Sequence, residues 1–296
     1  MISDRNVWLN GEFLGEADAH ISVRDRGFLV GDGCFETLIV YGGVPWKLDE
    51  HLARLERSME LLHIRRTRTP EEIAKVVREL PAMNNLDNAR VRITVSRGLD
   101  CEALPGRVGD PTILITATPQ PPVPKASFTD GWRAIVCRTV EHPGGTIWTR
   151  AKSTSRIWLV IAGGEAERAQ VDEALISDHR GCLIEGTRSN FFIASGGRLV
   201  TPPAESGALA GITRAEIISL AKAMGIETIE SDITPDDVYA ADECFISRST
   251  AGVVPIVRLD DHPIGAGTPG PIALRLADAY EQAVRSICGP DARVRE

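Results

Sequence analysis

The sequence predicts an α+β protein built as two domains, and three observations carry that expectation. Alternating apolar runs bounded by turn residues are interleaved with stretches of helical periodicity. A proline-rich break interrupts this mixture, which then resumes. The chain has 296 residues, 43% of them hydrophobic, enough for more than one core.

The elements can be justified in order. Val7 to Phe13 reads VWLNGEF, with Asn-Gly between apolar residues, a hairpin signal. Cys34 to Tyr41 reads as a strand, Gly42-Gly43 turns it, and Val44 to Lys47 returns. Asp49 is placed to cap a helix whose Leu52, Leu55, Met59 and Leu62 share one face. Thr69-Pro70-Glu71-Glu72 opens a second helix, with Thr69 and Glu72 in capping-box register and Pro70 at the first helical position. ARVRITVSRG and TILITATP read as two more strands, closing a first domain at residues 1–118.

Pro119 to Ala126, PQPPVPKA, carries four prolines and reads as a stiff connector, so residues 119–127 are expected to link the domains. In the second domain, residues 128–296, WRAIVCRTV is a strand candidate, and Ser153 to Gln170 is expected to be helical. EALISD, CLIEGT and NFFIAS follow as strands. GITRAEIISLAKAMG is a helix with glycine at its end, DECFIS and GVVPIVRLD are strands, and GPIALRLADAYEQAVRSI closes the chain as an amphipathic helix.

Composition narrows the function. The formal net charge of −8 argues against a nucleic-acid partner. The longest apolar runs fall short of a membrane span, and the N-terminal residues already read as structure, so a cytoplasmic protein is expected. Cys34, Cys101, Cys137, Cys182, Cys244 and Cys288 are scattered without a CxxC pair, and the six histidines have no metal-ligand spacing. Neither a disulfide framework nor a metal site is expected. No GxGxxG or P-loop sequence is present.

Five segments, in order, carry a resemblance. They are DRGFLVGDGCFETLIVYGGVPWKLDEHLARLERS from Asp25 to Ser58, RAKSTSR from Arg150 to Arg156, LIEGTRSNFF from Leu183 to Phe192, LAGITRAEI from Leu209 to Ile217, and DECFISRSTAGVVPIVRLDDHPIG from Asp242 to Gly265. Together they resemble the class IV, or fold type IV, pyridoxal-phosphate-dependent aminotransferases. That superfamily includes branched-chain aminotransferases, D-amino-acid aminotransferases and aminodeoxychorismate lyases. The resemblance implies a small open α/β N-terminal domain, a larger pseudo-barrel C-terminal domain, pyridoxal 5′-phosphate (PLP) between them, and a homodimer.

The cofactor makes four chemical demands. A lysine must bond to its aldehyde, a carboxylate must keep the ring nitrogen protonated, cationic and backbone donors must hold the phosphate, and a base must move a proton at the substrate carbon. A lone lysine is ordinarily a solvated surface group, so the motif set rather than the residue identifies Lys152 as the cofactor lysine and proton carrier. By the same resemblance Glu185 is the carboxylate facing the ring nitrogen. Arg54 is the phosphate arginine, with Glu50, four residues earlier on the helix, as a competing partner. Ile212 and Thr213 supply a helix start suited to phosphate. Ser249 and Thr250 stand where the family places a further phosphate hydroxyl, although RST replaces the GTA of many relatives.

Substrate contacts are expected from Phe35 and Thr37 of the FET segment, and from three cations, Arg97, Arg156 and Arg248, each able to meet a free carboxylate. The resemblance implies transfer of an amino group between an amino acid, with branched-chain L-amino acids leading, and a 2-oxo acid such as 2-oxoglutarate. Ser155-Arg156 stands where many branched-chain enzymes have Asn-Tyr and is similar to aminodeoxychorismate lyases, which release pyruvate and 4-aminobenzoate. A D-amino-acid or (R)-amine transaminase on the same fold, and a non-catalytic binding protein, are the other readings.

Overall fold

A computed structural model describes residues 4–99 and 109–296; Cys101 lies outside the described residues. The chain forms two compact units. The first comprises Met1–Pro121, Ala151–Ser155 and Ile287–Ala292, and the second Pro122–Arg150, Arg156–Ser286 and Arg293–Glu296.

In the first unit, β1 (Asn6–Leu9) and β2 (Glu12–Gly15) form the expected hairpin. Leu9 pairs with Glu12, leaving Asn10 and Gly11 as a two-residue loop with φ of 53° and 123°. These are the left-handed conformations that the Asn-Gly pair tolerates. A short helix α1 (Arg26–Val30) precedes β3 (Gly33–Tyr41) and β4 (Val44–Pro45), so the return strand stops two residues short of Lys47. Then come helices α2 (Leu48–Leu61) and α3 (Pro70–Met83), and strands β5 (Ala89–Ser96) and β6 (Thr112–Pro119). The sheet is antiparallel throughout, in the order β2-β1-β6-β5-β3-β4.

Leu38 and Val40 of β3, Val91 and Ile93 of β5, and Ile115 of β6 share a core with Leu52, Leu55, Val77 and Leu80 of the two helices. Removing these side chains from water is the main stabilising term for this unit. The α3 capping box forms as expected: Thr69 Oγ1 accepts from the Glu72 N–H, and the Glu72 carboxylate accepts from the Thr69 N–H at 2.7 Å. The α2 cap is Lys47, in the left-handed region at φ 54°, rather than Asp49. Asp49 and Glu50 instead occupy the first turn, where their charge favours the positive end of the helix dipole.

The second unit is built on a nine-stranded mixed sheet. Its elements are α4 (Ala126–Thr129), β7 (Trp132–Val136), α5 (Ile147–Arg150), α6 (Ile157–Arg168), β8 (Glu173–Ser177), β9 (Leu183–Gly186), β10 (Asn190–Ser195) and β11 (Arg198–Thr201). These are followed by α7 (Ile212–Ala223), β12 (Thr228–Glu230), α8 (Pro235–Tyr239), β13 (Glu243–Arg248), β14 (Gly252–Leu259), β15 (His262–Pro263) and α9 (Pro271–Cys288). The strand order is β12-β11-β10-β13-β14-β7-β8-β9, with β15 on β14. β7 runs parallel to both β8 and β14, and β11 runs parallel to β12. Leu175, Phe191, Ile193, Ile246, Val254 and Ile256 fill its main core, and Trp158, Ala162 and Ala166 of α6 pack on Ala174 and Ile176 of β8.

Helix α6 begins at Ile157, four residues later than the expected Ser153. The intervening residues bond elsewhere: Ser153 bridges Cys34, and the Thr154 N–H donates to Gly33 O. The proline-rich stretch is ordered by the chain end, where Val123 N–H donates to Val294 O and Glu296 N–H donates to Val123 O. Among the described residues no helix is long and apolar enough to cross a membrane.

Candidate active site

Lys152 is placed by backbone bonds. Its carbonyl accepts from the Phe35 N–H at 2.9 Å and its N–H donates to Ser58 Oγ at 3.0 Å, so the lysine segment is stitched to the start of β3 and to α2. The following residues tie down the turn before β3. Thr154 Oγ1 and Ser155 Oγ both donate to Gly31 O, at 2.6 and 2.8 Å. Gly31 has φ 67°, and a Cβ there would lie 2.6 Å from Ser155 Oγ, so this close approach needs glycine.

Lys152 Nζ stands 4.9 Å from the Phe35 ring centroid. Arg92 Cζ lies 3.8 Å from the same centroid. Thr37 pairs with Arg92 and Phe35 with Thr94, so the pleat places Phe35, Thr37 and Arg92 on one sheet face. Although Arg92 is exposed as a whole, partial desolvation and the Arg90 charge draw its guanidinium below its ordinary value, and its Nε donates to Thr94 Oγ1 at 3.1 Å. An arginine alternating with apolar residues reads as the wet face of a strand, and Arg92 is exposed there; its place over the Phe35 ring carries no sequence signal.

Arg54 lies on the buried side of α2. His51, Arg54 and Ser58 fall at helical spacings of three and four, placing a polar stripe among Leu48, Leu52, Leu55 and Met59. Arg54 Nε and Nη2 grip Glu36 Oε1 and Oε2 at 2.7 and 2.9 Å, and His51 Nδ1 reaches Glu36 Oε2 at 2.8 Å. Glu50 is therefore not the partner of Arg54; it approaches Lys47. Burial pushes the Glu36 carboxyl up, but Arg54 and His51 outweigh it and hold the group well below the usual range. Burial keeps His51 below its ordinary value despite Glu36, helped by the charges of Arg54 and Lys152.

The expectation that Arg97 meets a substrate carboxylate needs correction. Its Nε and Nη2 are bidentate on Asp32, at 2.7 and 2.9 Å, and Nη1 and Nη2 also donate to His63 O and Leu62 O. With Nε, Nη1 and Nη2 all donating within its own chain, Arg97 is a structural clamp.

In the second unit Glu185, opposite Ile176 in the sheet, is buried. Its Oε2 accepts from the Leu209 N–H at 3.0 Å, and Oε1 lies 3.4 Å from His142 Nε2. Burial raises this carboxyl, but His142, Arg156 and the Leu209 N–H together leave it below its usual value, hence ionised near neutrality. Glu173, also buried, fastens the turn after Glu185 by accepting from the Thr187 N–H and hydroxyl and from Ser189 Oγ.

Asn190 joins this region to the start of α7. Its amide donates to Leu209 O at 2.9 Å, and a Cβ on Gly211 would fall 2.0 Å from its Oδ1. Gly211 is the N-cap of α7 and supplies no side-chain cap, so the amides of Ile212 and Thr213 open the helix without one. Asn190 pairs across the sheet with Ser247, whose buried hydroxyl makes no hydrogen bond among the described residues. Ser249 and Thr250 are half-buried in the β13–β14 turn, and Arg248 Cζ stands 4.7 Å from the centroid of the Trp132 ring. This donor set, an uncapped helix start beside an unmatched hydroxyl and near a buried ionised carboxylate, is chemically suited to a phosphorylated pyridinium.

The Amino-transferase class IV family model matches residues 33–259. The chain belongs to the class IV aminotransferases. It is therefore a PLP-dependent enzyme of amino-group transfer. A Methanocaldococcus jannaschii protein provisionally assigned as a branched-chain-amino-acid aminotransferase is 40% identical over 93% of this chain and 95% of its own length. The D-alanine aminotransferase of Bacillus licheniformis is 30% identical over 95% and 97%. Among solved structures, the Escherichia coli branched-chain amino acid aminotransferase superposes with a TM-score of 0.89 at 28% identity, over 98% and 97% of the two chains. A further branched-chain amino acid aminotransferase, solved with pyridoxamine 5′-phosphate, superposes equally well, with a TM-score of 0.89 at 29% identity over the same shares. The expected α+β class IV fold is thus the fold of this chain.

Proposed function

We propose that this class IV aminotransferase exchanges the amino group of branched-chain L-amino acids with 2-oxoglutarate, using Lys152 and Glu185 as its two central groups. PLP supplies an electron sink for the substrate carbon. Lys152 would hold the cofactor through Nζ, and the same amine would carry the proton at the substrate Cα. Glu185 would accept a hydrogen bond from the protonated ring nitrogen. In the second unit the amides of Ile212 and Thr213 and the hydroxyls of Ser247, Ser249 and Thr250 would hold the phosphate; Arg54, in the first unit, keeps its expected role as a phosphate cation. The observation that carries this reading is Glu185, a buried carboxylate kept ionised with few donors of its own.

Substrate recognition falls to the face bearing Phe35, Thr37 and Arg92. Arg92, stacked over the Phe35 ring and without a carboxylate partner among the described residues, suits the acidic group of 2-oxoglutarate. Arg156 and Arg248 serve carboxylates from the second unit. The branched-chain preference follows the relative at 40% identity, and the relative at 30% makes D-alanine the second substrate class. A homodimer is supported by exposed apolar side chains. Phe28 and Val30 on α1 are 76% and 61% exposed, and Ile157 and Val160 on α6 are 66% and 69% exposed. A cytoplasmic setting is supported by five described cysteines that are all free.

A half-reaction panel tests the proposal. L-leucine, L-valine or L-isoleucine alone should bleach the near-visible absorbance of the bound cofactor, and 2-oxoglutarate should restore it. Bleaching by D-alanine but by no L-amino acid would overturn the substrate assignment. Pyruvate released from aminodeoxychorismate without any 2-oxo acid would favour a lyase. Lys152→Ala should bind PLP only reversibly and slow the half-reaction by about 10⁴-fold; a covalently held cofactor in that variant would sink the lysine assignment.

A further inference from the structure

His142 was not among the residues that the sequence singled out, since one histidine in a His-Pro-Gly-Gly loop carries no signal. Its side chain is fully enclosed. The Gly144 N–H donates to Nδ1 at 3.1 Å, so Nδ1 is an acceptor and the neutral ring must carry its proton on Nε2. That N–H makes no hydrogen bond among the described residues, and Glu185 Oε1 stands 3.4 Å away. The ring is held edge-on against Trp158, at 6.2 Å between centroids, and the His142 backbone N–H is tied to Ser177 O. The loop is fastened upstream as well. Glu165 on α6 accepts from the backbone N–H groups of Arg138 and Thr139. The imidazole is therefore a rigid donor with one direction to point.

The geometry points to His142 as a positioning residue for Glu185: its Nε2–H, 3.4 Å from Oε1, attracts the carboxylate from that side while the Leu209 N–H bonds it from the Oε2 side. With Oε2 bonded and Oε1 drawn toward His142, the remaining lone pairs keep one direction, which a ring nitrogen needs if its proton is to stay in place while charge builds at the substrate carbon. This inference rests on the reading of Glu185 as the partner of the ring nitrogen. It adds that the strength of that partnership is set by a side chain one step removed from the cofactor.

Two measurements test it. In cofactor-free protein labelled with ¹⁵N-histidine, the His142 resonances should show protonated Nε2 and unprotonated Nδ1, and Glu185→Gln should move the Nε2 resonance. A proton on Nδ1, or a resonance blind to Glu185→Gln, overturns the inference without any use of activity. In the loaded enzyme, His142→Leu should shift the cofactor absorbance and slow the amino-acid half-reaction about tenfold, with His142→Gln, which can present an amide donor near the same point, recovering most of the loss. In a Glu185→Gln background, His142→Leu should add less than about twofold. Equal effects in both backgrounds would reduce His142 to a packing residue. If Glu185→Gln alone changes neither absorbance nor rate, the reading of Glu185 fails and takes this inference with it. If Glu185→Gln acts but His142→Leu does not, only the inference fails.

Discussion

Glu36 and Glu185 are both buried carboxylates held ionised, one in each unit, yet their surroundings differ in kind. Glu36 meets a bidentate arginine and a histidine, all within 2.9 Å. Its charge is answered by its own chain. Glu185 has one backbone N–H at hydrogen-bond distance and a histidine at 3.4 Å. Burial in an apolar interior is costly for a charge unless partners answer it. A carboxylate fully answered from within is part of the scaffold. One left with spare lone pairs, in a buried setting that still ionises it, is suited to a cationic partner from outside.

The largest test exchanges the two roles. Glu185→Gln should leave stability nearly unchanged, because few native donors depend on it, and slow transamination by about 10²–10³-fold. Glu36→Gln should act first on stability and, because Arg54 is held by Glu36, should weaken cofactor binding as well. It strands the Arg54 guanidinium, only 5% exposed, and should cost about 3–5 kcal/mol in urea unfolding of the cofactor-free protein. Equal stability losses in the two variants would erase the distinction drawn between them.

Acid should sharpen the comparison next. Glu36 is depressed in the folded state, so its contribution is complete above the unfolded carboxylate value of about 4.3 and is lost as pH falls through the lower folded value. His51 is also depressed. The unfolded chain takes up its proton near pH 6.5 while the folded chain resists, so this residue destabilises as pH falls below about 6.5. Stability should therefore begin to fall well above the carboxylate range. Urea unfolding at pH 7.5 and 5.5 should show a drop that His51→Gln reduces. An identical drop in wild type and variant would remove His51 from the account.

The sequence was most legible where the cause of structure is local. The Asn10-Gly11 loop, the Thr69–Glu72 capping box and the alternation along β3 each depend on neighbouring residues, and each appears where expected. It was least legible where distant residues decide. Ser153 to Arg156 read as helix, but Thr154 and Ser155 are claimed by Gly31 and Gly33 from far upstream. Arg97 read as a free cation until Asp32 occupied its fork. Arg92 and His142 carry no sequence signal, because their significance lies in a ring and a carboxylate that only folding brings near. Lys152 and Glu185 are singled out by ordered motifs, not by any periodicity of their own.

Ser247 offers the finest test, because it isolates one neutral atom. Its hydroxyl is buried with no hydrogen bond among the described residues, so the fold gains nothing from it and bears the cost of desolvating it. Ser247→Ala should hold the stability of the cofactor-free protein within about 0.5 kcal/mol, or raise it slightly. If the hydroxyl donates to the cofactor phosphate, the same variant should weaken PLP binding about fivefold, the worth of one ordinary hydrogen bond. Ser249→Ala, altering a half-buried hydroxyl in the adjoining turn, separates the two serines. A titration of cofactor into each variant, followed by absorbance, reads the difference. Weaker binding in Ser249→Ala alone would move the phosphate contact to the turn. A stability loss above about 1 kcal/mol in Ser247→Ala would mean that the hydroxyl supports the scaffold after all, as the carboxylate of Glu36 does.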